Sequence, residues 1–136
     1  MSSEPTPTAA DAAANAAAAL KGRGGLARIC NAAGYSVAGL RAAYAGEAAF
    51  RQLVWLNLLL IPVALLLDVS RVERAVLIGA VVLGLIVELL NSAIEATVDR
   101  ISLALHPLSA RAKDMGSAAQ LLALCLVGLV WGVILL

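Results

Sequence analysis

The sequence predicts an all-α membrane protein, with three transmembrane helices behind an N-terminal amphipathic helix on the membrane surface. Composition and the spacing of apolar runs lead there. The chain of 136 residues is 62% hydrophobic and 14% charged, against about 45–50% apolar and about 25% charged in a soluble domain. Mean hydropathy is +0.92. Aromatics are only 4%, so the excess is aliphatic. This excludes a disordered chain, a disulfide scaffold and a typical soluble enzyme. The length suits one domain. The net charge of +1 gives no argument for a nucleic-acid partner.

Residues 1–22 form a tail of their own. Positions 1–8 are rich in Ser, Pro and Thr, and 9–20 are nearly all alanine. Glu4 and Asp11 precede Lys21, the first basic residue, so the charge order is wrong for a signal peptide. The membrane domain is expected over 23–136. Within it, about 26–45 is helical: Leu26, Ile29, Cys30, Ala33, Val37, Leu40 and Tyr44 recur at steps of three and four and build one apolar stripe. Arg28, Asn31 and Arg41 fall largely outside that stripe, as in a helix lying in the interface. Gly46 is a plausible break.

The first span is expected at about 47–67. Its uncharged run, 53–67, covers only about 22 Å at 1.5 Å per residue, short of a bilayer core of about 30 Å. The helix must therefore reach back toward Glu47, with Arg51 snorkelling at the boundary. Pro62 should kink it. The second span, about 72–99, contains Glu88, Asn91 and Glu95. The third, about 114–136, carries one amide, Gln120. Lys21, Arg23, Arg28, Arg41 and Arg51 precede the first span. Arg71 and Arg74 lie in the first loop, and Arg100, Arg111 and Lys113 in the second. The positive-inside rule then places the N-terminus and the second loop in the cytoplasm, and the C-terminus outside. Cys30 and Cys125 do not have metal or redox spacing and read as packing residues.

The chemistry concentrates on the second span. Glu88, Glu95 and Asp99 fall within about 40° of one another at about 100° per residue, with Asn91 about 60° to one side. One helix face thus carries a polar ladder from inside the membrane to its cytoplasmic edge. A charge at the bilayer centre costs at least about 2.5–3.5 kcal/mol per Asp. Polar glue between helices would account for one Asn, but poorly for two Glu, an Asn and an Asp together. Glu47 begins the first span, where an acid also suits a helix N-terminus. Lys113 and Asp114 precede the third, where they could simply anchor it at the interface. Together these groups suit Mg²⁺ and phosphate at one membrane face. No GxxxxGK[ST] and no GxGxxG is present, and His106 sits in a loop before Pro107.

The stretches AAGYS (32–36), GLRAAY (39–44), EAAFRQ (47–52), VELLNSAIEATVDR (87–100) and AKDMGSAA (112–119) resemble the prokaryotic diacylglycerol kinase family. The resemblance runs from about Arg28 to the C-terminus. It implies a homotrimer in the bacterial inner membrane, with sites between subunits at the cytoplasmic interface. There the γ-phosphoryl of MgATP passes to diacylglycerol, giving phosphatidic acid. By motif position, Glu88 would be the general base, and Glu47 and Glu95 would hold Mg²⁺. Arg28, Tyr35, Asp99, Lys113 and Asp114, with Glu47, Glu95 and His106, would bind the nucleotide. Asn91 and Ser117 would support the catalytic face. Arg28, Ala33, Ser36, Arg41, Phe50, Arg51, Glu88 and Ser117 would meet the lipid. Two departures stand out: Ala104 where the family often has an acid, which touches the adenine end, and Asn31 where it often has a base. Some family members use a polyprenol such as undecaprenol, which offers the same primary hydroxyl. A more distant alternative is a non-enzymatic assembly or transport protein using the ladder as an ion path.

Overall fold

The computed structural model describes residues 8, 10, 11 and 25–136. Most of the alanine-rich tail, and Lys21 and Arg23 from the charge count, lie outside them. Among the described residues there are four helices and no strand: α1 Gly25–Gly46, α2 Ala48–Leu66, α3 Arg71–Ile101 and α4 Pro107–Leu135. The last three are long and apolar enough to cross a membrane, so the chain is a multi-pass membrane protein. It divides into two compact units, Met1–Gly39 and Leu40–Leu136.

Each boundary has a local cause. The break between α1 and α2 falls at Glu47, one residue beyond Gly46, where the backbone is extended at φ −110° and ψ 114°. The Arg51 guanidinium folds back over it and donates to Tyr44 O at 2.9 Å and Ala45 O at 3.0 Å. It thereby occupies carbonyls that a helix end leaves unpaired. Helix α2 continues through Pro62 to Leu66. Ser70 opens α3 with a capping box: its side chain accepts from the Glu73 N–H, and Glu73 accepts from the Ser70 N–H. Arg74, one turn in, donates to Ala64 O at 3.0 Å and Leu67 O at 2.8 Å. Helix α4 begins two turns before the apolar run. His106 Nδ1 accepts from Leu108 N at 3.1 Å, and Pro107 takes the first helical position, where a missing N–H costs nothing.

Helix α3 is the centre of the membrane unit. Both α2 and α4 pack on it, and they do not pack on each other. Its buried positions, Leu77, Ala80, Val81, Gly84, Glu88 and Ser92, recur at three and four residues, a helical core stripe. Phe50, Leu53, Asn57 and Ala64 are the buried positions of α2. Burial is uneven: 33% of the apolar window of α3 is buried, but only 6% of that of α4. The two cysteines are free and exposed, not packed as expected. Cys125 sits on an exposed side of α4.

Candidate functional site

The acid row on α3 is built as its spacing predicts. Glu88 is only 4% exposed, Glu95 is half-buried and Asp99 is exposed. The row therefore runs from a shielded inner end to a wet outer one. At 31 residues, α3 is about 46 Å long, well beyond a core of about 30 Å. A helix of that length has turns to spare beyond the hydrocarbon, and Asp99 lies in its last turn.

Asp99 meets α4. The Lys113 Nζ lies 2.6 Å from its Oδ1, closing the outer end of the α3–α4 contact with an exposed ion pair. Two turns inward from Asp99, Asn91 Nδ2 donates to Glu95 Oε1 at 3.4 Å, while Asn91 Oδ1 is buried without a partner. That oxygen points at Gly116 of α4, so closely that an added Cβ there would collide with it. The small-residue requirement at Gly116 is a contact that reading the sequence alone missed.

Glu47 sits at the N-cap position of α2, half-buried, but its side chain makes no capping hydrogen bond. Among the described residues no three His, Cys, Asp or Glu side chains converge on a common metal position. Magnesium does not need such a cage, since it is held by one or two carboxylates together with substrate phosphates. Glu47 and Glu95 fit that demand.

The remaining expected residues divide. Phe50 is buried at 2% exposure on α2. Arg41, Asp114 and Ser117 are exposed, and Arg51 is half-buried. Arg51 and His106 are engaged at helix ends, as described above. Arg28, Ala33, Tyr35 and Ser36 belong to the separate unit Met1–Gly39 and are exposed there. The Ser36 hydroxyl donates to Ala32 O of its own helix at 2.9 Å. Within the unit Leu40–Leu136, Glu88, Asn91, Glu95 and Asp99 thus line α3, with Lys113 of α4 joined to Asp99.

The sequence profile described as prokaryotic diacylglycerol kinase matches residues 34–135. The chain belongs to the prokaryotic diacylglycerol kinase family. A diacylglycerol kinase of Pseudomonas aeruginosa is 68% identical over 116 residues, 85% of this chain and 94% of that one. One of Escherichia coli is 54% identical over 111 residues, 82% and 91% of the two chains. One of Helicobacter pylori is 45% identical over 108 residues, 79% and 84%. The family match over 34–135 takes in α2, α3 and α4, so the acid row and the Lys113 ion pair lie inside it.

Proposed function

We propose that the chain is a diacylglycerol kinase that passes the γ-phosphoryl of MgATP to the free hydroxyl of diacylglycerol at the cytoplasmic face of the bacterial inner membrane. The products are phosphatidic acid and ADP. Family membership and the relatives at 68% and 54% identity support the reaction. The observation that supports this division of roles is the buried Glu88 at the inner end of a row whose outer end is the wet Asp99–Lys113 pair.

A lipid hydroxyl reaches the interface from the hydrocarbon side, and ATP reaches it from water. Glu88 is placed for the first, and Glu95, Asp99 and Lys113 for the second. In this reading the Glu88 carboxylate takes the hydroxyl proton as the oxygen bonds to the γ-phosphorus. The bond to the bridging oxygen breaks in line, and ADP leaves with that electron pair. Glu88 then loses its proton to water. Glu47 and Glu95 hold magnesium, which when bound neutralises charge on the β- and γ-phosphates. Asn91 orients Glu95 through its amide. Lys113 and Asp114, with Arg28, Tyr35, Asp99 and His106, serve the nucleotide. Ser117 supports the catalytic face. Ala33, Ser36, Arg41, Phe50 and Arg51 line the lipid's approach, and α1 lies along the membrane surface. We take the working assembly to be a homotrimer; the open layer, in which α2 and α4 touch only α3, supports a partner chain beside the site.

The test is phosphatidic acid formation in mixed micelles with MgATP. Glu88→Gln keeps shape and removes the base, so kcat should fall about 10²–10⁴-fold while the KM for ATP stays near normal. Near-normal turnover, or rescue of that variant by extra Mg²⁺, would show that the base lies elsewhere.

A further inference from the structure

Gln120 is the amide in the membrane run of α4. Both polar atoms of its side chain are buried and have no hydrogen-bond partner. A buried group left this way incurs its full desolvation cost, and hydrocarbon supplies no water in compensation. The α3–α4 register fixes where it stands. Gly116 of α4 meets Asn91 of α3, and the Trp131 indole of α4 donates to Leu77 O of α3 at 3.3 Å. The two helices are antiparallel. Four residues on from Gly116 therefore match about four back from Asn91, and eleven back from Trp131 match eleven on from Leu77. Both routes set Gln120 level with Glu88. Gly116 and Ala123, the buried positions of α4, flank it on the face toward α3. One turn from Glu88 on α3, Ser92 is 8% exposed and its hydroxyl is also without a partner.

We propose that Gln120 is a substrate-binding residue whose carboxamide N–H donates to an ester carbonyl of the acceptor lipid while the lipid's hydroxyl meets Glu88, so that the site selects an acylated glycerol over a polyprenol. The inference rests on the lipid kinase reading and adds the determinant of its acceptor. A carboxylate can accept from a hydroxyl but gives nothing to a carbonyl, so an acylated glycerol needs donors beside Glu88. Gln120 supplies two N–H bonds there and Ser92 one O–H. A polyprenol offers hydrocarbon beyond its hydroxyl and leaves those donors unpaired. A site built around such hydrogen bonds discriminates strongly against a ligand lacking their partners.

The experiment compares three acceptors in mixed micelles with MgATP: diacylglycerol, the ether-linked dialkylglycerol with the same chains, and undecaprenol. The wild-type protein should prefer the diester over the diether by roughly 10- to 100-fold in kcat/KM, the worth of one buried polar partner. Gln120→Met, close in volume, should lose that factor on diacylglycerol alone, with the KM for ATP and the rates on the other two lipids unchanged. Equal wild-type kcat/KM on diester and diether overturns the proposal, and this comparison needs no variant to fold. A Gln120→Met protein slowed equally on all three lipids also overturns it. A wild-type protein that phosphorylates none of the lipids overturns the kinase reading along with it.

Discussion

Gly116 is where packing and chemistry touch at a single residue. A Cβ there lands on Asn91 Oδ1 and comes within 3.8 Å of Ile94 Cδ1. Asn91 could yield only by turning its amide away from Glu95. Gly116→Ala should therefore cost about 1–3 kcal/mol by overpacking and raise the KM for MgATP. Gly128→Ala, where nothing lies within 4 Å, should instead gain up to about 1 kcal/mol of helix propensity. Thermal unfolding in detergent and ATP titrations separate the two, and similar behaviour of both variants would sink the argument. Glu88, Glu95 and Asp99 were legible in the sequence because one helix's period fixes which residues share its face. Their partners were not, since period within a helix says nothing of register between helices. Gln120 therefore read as a stray amide, and Asn91 as a neighbour of the acids with no view of Gly116. Asn57 went unremarked in a run read only as uncharged, yet it is 6% exposed and donates to Leu53 O of its own helix at 2.9 Å.

Among the elements, the helices themselves followed from apolar runs, and their ends from side chains whose roles were hidden. Arg74 counted only as a loop charge in the orientation argument. In the folded chain it reaches back to Ala64 O and Leu67 O and closes the C-terminus of α2. Arg74→Ala should lower stability by about 1.5–3 kcal/mol, the range for hydrogen bonds involving a charged group. The kcat and the KM for ATP should stay near wild type, because the residue stands at the opposite end of α3 from Asp99. A loss of turnover without a fall in melting temperature would contradict this division of labour. The early start of α4 was equally hidden: a lone histidine before proline is not a strong capping signal, yet His106 caps.

At the scale of the molecule, hydropathy foretold three crossings but not which helix the others lean on. The orientation rests on basic residues and can be checked from outside the cell. In a chain with Cys30→Ala and Cys125→Ala, Asp68→Cys in the first loop should react with an impermeant maleimide on intact cells. Leu105→Cys in the second loop, where the side chain is fully exposed, should react only once the membrane is opened. The reverse pattern would put the acid row on the side without ATP. The packing of the three spans also bears on how the chain is made. Each helix in the membrane packs only on its immediate neighbours in sequence, α2 with α3 and α3 with α4, through connections of a few residues. No early helix has to wait, unpaired, for a distant one, and the loop-closure entropy at each step is small. The chain can therefore assemble in the order it leaves the ribosome. Helix α4, the last of the three to emerge, keeps most of its surface open once it has packed on α3.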